Sequence, residues 1–227
     1  MRPIQLKNES IFKTLRSISD TIYEDNILNE LISESKEDRS ELIDATIHPV
    51  SDDYFHCAMN DFSVETFGFP RDAYMSSINA SKTASDSIKR HKRKLQRVLG
   101  GQSSALTALY PHDGYIGWHH NGNAPGYNIL FSYSLDGKGC FKFYDYETKE
   151  IKVLQDEPGW NVKVGYYPNE NTEPENVYWH TAETKNPRLS VAFIVDDRNI
   201  WKSMINDITN GEYDKEYIEA QGPKKKD

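Results

Sequence analysis

The sequence predicts a mainly β protein, an antiparallel sandwich or barrel with a helical buttress. Three observations lead there. Eight short runs rich in β-branched and aromatic residues succeed one another between residues 104 and 195. Turn signals stand between them, and the first hundred residues instead place apolar side chains at helical spacing.

Taken in order, Ile11, Leu15, Ile18 and Ile22 define one helix face, and Ile27, Leu28, Leu31 and Ile32 continue the apolar stripe. A shorter helix is expected to start near Ser40. Another is expected over 82–99, where Ala84, Ile88, His91, Leu95, Val98 and Leu99 share a face before a Gly100-Gly101 stop. Its other face carries Lys89, Arg90, Lys92, Arg93, Lys94 and Arg97. That run reads either as a phosphate-binding patch for a nucleic acid or as a solvated face with cations well placed near a helix C-terminus. His91, on the apolar side, reads as a core residue.

Strands are expected at 104–110, 115–119, 127–135, 139–145, 149–154, 161–167, 176–181 and 188–195. Pro111-His112-Asp113-Gly114, Asn121-Gly122, Asp136-Gly137 and Pro158-Gly159 supply turns between them. A helix follows over 198–208, then a mobile tail from Gly211 that ends in Lys224-Lys225-Lys226 and Asp227. The simplest organisation is one domain, with helical support over 1–101, a β core over 102–197 and a C-terminal helix and tail over 198–227.

The chain has 227 residues, 27 cationic and 35 anionic, so the formal charge is 27 − 35 = −8. That balance argues against a surface that is wholly a nucleic-acid clamp. At 12 % aromatic, the chain is too rich in core-forming rings to be disordered. Cys57 and Cys140 are too few for a disulfide scaffold and read as reduced thiols, which points to a cytoplasmic location. No apolar run approaches the roughly 20 residues of a membrane span, and Met1–Ser10 lacks the apolar stretch of a secretory signal, so no membrane partner is expected.

The chemistry concentrates in three places. His119 and Asn121 are spaced i, i+2, so on a strand they share a face, and His180 stands on another expected strand. Two imidazoles and one oxygen donor from neighbouring strands make a facial set, the arrangement of a non-haem Fe(II) site. Arg188 shares a face with Ser190, Ala192 and Ile194, and an arginine pointing into a barrel needs a partner. A dicarboxylic acid held at the metal by one end would supply it, through a bidentate bond to Arg188 and the hydroxyls of Ser190 and Tyr110.

The segment from Ser104 to Asp196 resembles the double-stranded β-helix core, a cupin-like jelly roll, of Fe(II)/2-oxoglutarate-dependent dioxygenases. That family shows His-x-Asp/Glu, a distal His, and an Arg or Lys some residues later. Here stand His119-His120-Asn121, His180, and Arg188-Leu189-Ser190. Gly137-Lys138-Gly139-Cys140-Phe141-Lys142-Phe143 resembles the strand after the first ligand, and Pro158-Gly159-Trp160 falls at the turn before the strand leading to the distal His. Trp118-His119-His120-Asn121 is similar to the Trp-His-His-Asp stretch of an AlkB-type RNA demethylase, and Tyr110 matches a cosubstrate-binding tyrosine of AlkB-type enzymes. The resemblance implies Fe(II) held by His119, Asn121 and His180, 2-oxoglutarate held by Arg188, Ser190 and Tyr110, and O2 as second cosubstrate. It implies hydroxylation or oxidative demethylation of a C–H bond, with release of succinate and CO2.

Asn121 departs from the pattern, because an amide brings no negative charge to the metal. The consequences divide three ways: ordinary chemistry through the amide oxygen, a halogenase-like variant with an anion at the weakened position, or a metal-deficient cupin-like binding protein. Deamidation at Asn121-Gly122 would restore a carboxylate. The substrate stays open among a nucleic-acid base, a protein side chain and a metabolite. Tyr115, Trp118 and Tyr127 are candidates for stacking on it, and equally for filling a small barrel.

Overall fold

The computed structural model describes residues 1–24, 27–39, 43–60, 72–78, 86–99, 103–121, 124–168 and 177–223. In chain order these form β1 (Arg2–Ile4), α1 (Glu9–Glu24), α2 (Ile27–Glu34), β2 (Lys36–Asp38), α3 (Asp52–Asn60), β3 (Ala73–Ser77) and α4 (Asp86–Val98). There follow β4 (Ser103–Tyr110), β5 (Tyr115–His119), β6 (Gly126–Ser134), β7 (Gly139–Asp145), β8 (Glu150–Gln155) and β9 (Gly159–Tyr167). The chain continues through β10 (His180–Thr184), β11 (Arg188–Val195), α5 (Arg198–Thr209) and α6 (Lys215–Ala220).

Strands β4 to β11 fall into two antiparallel sheets, β9-β6-β11-β4 and β5-β10-β7-β8. The chain alternates between them at almost every connection, which makes the core a double-stranded β-helix, or jelly roll. β3 pairs with β4 on one side and β5 on the other, joining the sheets along one flank, and β2 pairs onto β3. β1 extends the first sheet beside β9.

Period-two alternation divides the first sheet cleanly. Leu189, Val191, Phe193 and Val195 of β11, with Ile129 and Phe131 of β6 and Val162 and Val164 of β9, pack outward against the helices. The helical side of that core is Ile11, Leu15, Ile18 and Ile22 of α1, Ile88 and Leu95 of α4, and Trp201, Met204, Ile205 and Ile208 of α5. Burying each such side chain contributes about 1.5–3 kcal/mol, so this layer fixes the sheet as a rigid wall. The inward residues of the same strands, Arg188, Ser190, Ala192 and Ile194, are left to face the second sheet across a cavity. A second core lies outside the other sheet, where Tyr54 and Phe55 of α3 meet Trp118 and Trp179.

Several expectations shift. The strand expected over 176–181 begins at His180 and runs to Thr184; residue 176 lies outside the described residues, and Val177–Trp179 are irregular, with Trp179 N–H turning back to the Val177 carbonyl. The helix start near Ser40, residues 82–85 of the helix expected over 82–99, the Gly100-Gly101 stop and Lys224–Lys226 lie outside the described residues. The expected tail holds α6, whose Asp214 side chain accepts from Tyr217 N–H and whose Ile218 is buried. The first hundred residues contribute three strands as well as helices. His91 is half-buried. Cys57 and Cys140 are both free. No helix among the described residues is long and apolar enough to cross a membrane.

Candidate functional site

Between the sheets lies a cavity of about 660 Å³. Its floor is polar, its walls are mostly apolar through Leu106, Ile116, Leu130 and Phe141, and its far end holds His119, Asn121 and His180. Lys36 and Asp38 of β2 and Met75 of β3 also line it.

His119 closes β5 and His180 opens β10, and the two are direct partners in the antiparallel register. Their ring centroids stand 4.2 Å apart. A register shift between His180 and Ala182 sets His119 and Ile116, three residues apart, opposite them. This bulge breaks the alternation at Gly117 and Trp118, whose N–H groups donate to Asp72 and Pro49 carbonyls at 2.6 and 3.0 Å. A Cβ on Gly117 would sit 2.9 Å from each of those residues, so the close approach needs glycine.

Each imidazole engages a backbone carbonyl through Nδ1: His119 with Gly117 at 2.7 Å and His180 with Tyr178 at 2.9 Å. A carbonyl only accepts, so Nδ1 carries the proton and Nε2 carries the lone pair, the tautomer a metal ligand requires. Asn121 brings its amide within 3.3 Å of His180 Nε2. The amide nitrogen is assigned to that position; turned over, the group presents Oδ1 to the same point. Phe141 and Tyr167 stack on His180 at 5.4 and 4.8 Å and hold the ring in place. Among the described residues no three His, Cys, Asp or Glu side chains cluster as a metal site, so the donor set here is two imidazoles and an amide. These donors fit a divalent ion of the nitrogen- and oxygen-binding kind, with less charge than a carboxylate would bring.

Desolvation pushes His119 down to about 4 from 6.5, and His180 well below the usual imidazole value. A depressed imidazole resists protonation in the fold while the unfolded chain takes protons from pH 6.5 downward. Stability therefore falls as pH drops from 6.5 toward about 4, by about 3 kcal/mol from His119 alone. With a chelator present, the urea midpoint is expected to fall across that window, and to fall less in His119→Gln. A drop of equal size in the variant would show that other groups cause it.

At the floor, Arg188 is 1 % exposed and its Nε donates to Asp156 Oδ2 at 2.6 Å. Its Nη1 donates to Ser190 Oγ at 2.7 Å, and its Nη2 is buried with no hydrogen-bond partner among the described residues. Tyr110 lies beside it, the guanidinium carbon 5.6 Å from the ring centre. Asp156 also takes Lys163 Nζ at 2.5 Å and the Ser132 hydroxyl at 3.2 Å. Burial alone would raise the Asp156 carboxyl, but Arg188 and Lys163 outweigh it and hold the group at about 2. Gly139 makes room for this network, since a Cβ there would lie 2.8 Å from Asp156 Oδ2 and 2.9 Å from Arg188 Cδ.

The structure thus brings together six residues singled out in the sequence: His119, Asn121, His180, Arg188, Ser190 and Tyr110 all line one cavity. It separates the others from it. Tyr115 turns away at the bulge and donates to Glu37 at 2.7 Å, Trp118 joins the α3 core, and Tyr127 packs at a tilt against Trp201 outside the first sheet. His120 packs edge-on to Trp179, on the opposite face of β5 from His119. Helix α4 packs on α1 through Ile88 and Leu95, so Lys89, Arg90, Lys92, Arg93 and Arg97 lie across the first sheet from the cavity. Asp156, Lys163, Phe141 and Tyr167 were not anticipated. Only Lys163 left a signal, a cation alternating with Val162 and Val164 on a strand.

No family model matches the sequence, and no curated protein does. Among solved structures, a Pseudomonas putida prolyl-4-hydroxylase aligns over 86 % of this chain and 92 % of its own, with TM-score 0.40 and 9 % identity. A viral collagen prolyl hydroxylase from Paramecium Bursaria Chlorella virus-1, solved with 2OG, aligns over 86 % and 96 %, with TM-score 0.40 and 10 % identity. A 2OG-Fe(II) oxygenase family protein from Burkholderia pseudomallei aligns over 80 % and 89 %, with TM-score 0.34 and 12 % identity. The jelly roll itself is carried by the strand order and register.

Proposed function

We propose that the chain is a 2-oxoglutarate-dependent oxygenase that binds Fe(II) at His119, Asn121 and His180 and oxidises a C–H bond of a substrate admitted to the cavity. The observation that carries the reading is the pairing of ends. A partnerless Arg188 nitrogen lies at the cavity floor, and two imidazoles in the metal-binding tautomer lie at the other end. A keto-diacid has the matching polarity, a chelating head and a distal carboxylate.

The bound iron would supply O2 activation coupled to decarboxylation of the cosubstrate: 2-oxoglutarate, O2 and R–H give succinate, CO2 and R–OH, one oxygen atom going to each organic product. The rest is the work of this chain. Arg188 Nη2, the Ser190 hydroxyl and Tyr110 orient the distal carboxylate. The Gly117 and Tyr178 carbonyls keep the protons of His119 and His180 on Nδ1. Leu106, Ile116, Leu130 and Phe141 exclude water around the reacting centre.

Anaerobic addition of Fe(II) and 2-oxoglutarate is expected to give a metal-to-ligand charge-transfer band, and aeration to give succinate without added substrate. His180→Ala and Arg188→Met should each abolish both signals. Absence of the band from the wild-type protein would favour a second reading, a metal-deficient binding protein of cupin type. Two facts favour that alternative: Asn121 adds no charge, and Arg188 already has a carboxylate at Nε.

A further inference from the structure

Lys163 is a fully buried cation that the oxygenase reading does not use. It projects inward from β9 beside Ser132 of β6, is 2 % exposed, and donates to Asp156 at 2.5 Å and to Ser132 Oγ at 3.3 Å. It is not among the described residues that line the cavity.

Its significance lies in the charge count of the floor. Arg188 alone would be cationic, but its Nε would lack an acceptor and only the Ser190 hydroxyl and the Tyr110 ring would orient it. Asp156 orients it through Nε and, in doing so, cancels its charge. Adding Lys163 restores a net charge of +1 while Asp156 keeps its grip on the guanidinium. Buried ion pairs contribute little to stability compared with apolar residues of the same volume, so the fold alone gives no reason for three charges here. The free valence of the network is Arg188 Nη2, on the side chain that does reach the cavity.

We propose that Lys163 keeps the cavity floor cationic and so sets its preference for a ligand with a second carboxylate. It acts as a positioning residue through Asp156 and Arg188, never touching the ligand. The inference rests on the oxygenase reading, since it takes the floor as the seat of a distal carboxylate.

The test compares 2-oxoglutarate with pyruvate, a 2-keto acid that lacks the distal carboxylate. Binding of each is measured by calorimetry with Mn(II), which supports chelation without turnover. The wild-type protein is expected to prefer 2-oxoglutarate. Lys163→Met and Lys163→Gln, which leave a neutral Asp156–Arg188 pair, should cut that preference roughly tenfold to a hundredfold with pyruvate binding unchanged. Lys163→Arg, which keeps the charge, should preserve it. Two neutral variants guard against one failing to fold. The proposal is overturned if either folded neutral variant keeps the wild-type preference, or if the arginine variant loses as much as the neutral ones, which would make the role one of shape. A wild-type protein that does not discriminate would overturn the seat itself, and with it the oxygenase reading.

Discussion

Asp156→Ala is expected to cost about 3–5 kcal/mol of folding stability, a large fraction of what a domain of this size possesses. The side chain is 0 % exposed and faces two cations that are 1 % and 2 % exposed. Truncation leaves both buried without a counter-charge. Lys163 can shed its proton, at the cost of lying neutral against a hydroxyl, but a guanidinium cannot. Ser132 Oγ also loses its acceptor. Asp156→Asn should cost less, because one amide oxygen can still accept from Arg188 or from Lys163, though not with full charge. Urea denaturation gives the numbers through the midpoint at constant slope. If Asp156→Ala unfolded at the wild-type midpoint, the network would hold no significant energy and the charge count of the floor would lose its meaning. High concentrations of a dicarboxylate should restore part of the loss if the ligand's carboxylate enters beside Arg188, since binding to the folded state alone is stabilising.

The same network marks the boundary of what could be read from the chain. The faces of β11 follow from strict alternation: Arg188, Ser190, Ala192 and Ile194 share a side, and all four line the cavity. His119 and His180 meet because they are register partners across two strands that both end or begin at a histidine. Alternation failed at β5, where the bulge turns Tyr115 outward and brings Ile116 in beside His119. A bulge inserts one residue, so every aromatic assignment upstream of it changes face. Trp118 and Tyr127 are aromatic in a way that composition cannot assign to a side; the helices α3 and α5 claim them. Asp156 was invisible for a different reason. It stands between β8 and β9, in a stretch that reads as a turn, and only closure of the two sheets, with its N–H on the Gly139 carbonyl at 2.8 Å, aims it at Arg188.

Asn121→Asp is expected to raise affinity for a divalent ion by roughly 30- to 1,000-fold, that is about 2–4 kcal/mol, because ligand charge count sets the strength of oxygen-donor sites. None of the three donors is anionic: both imidazoles are held neutral by burial, and the amide carries no charge. A carboxylate within reach of His180 would also act on the metal-free protein. It would favour the protonated ring and move that pKa upward, so the acid sensitivity described above should weaken in the variant when no metal is present. The two effects have opposite pH signatures, since metal binding competes with protons and strengthens as pH rises. Titration with Mn(II), followed by the loss of the free-ion magnetic resonance signal, measures the first, and chelated urea unfolding at pH 7.5 and 5 measures the second. Equal or weaker ion binding in the variant would mean that residue 121 does not touch the ion. The cupin-like reading would then gain its strongest support, because the remaining two imidazoles make a poor site. A large gain has a further corollary. Asn121 is followed by Gly122, so aged wild-type protein should show a sub-population one mass unit heavier in this peptide, of which the aspartate form, separated from isoaspartate, should bind metal as the variant does.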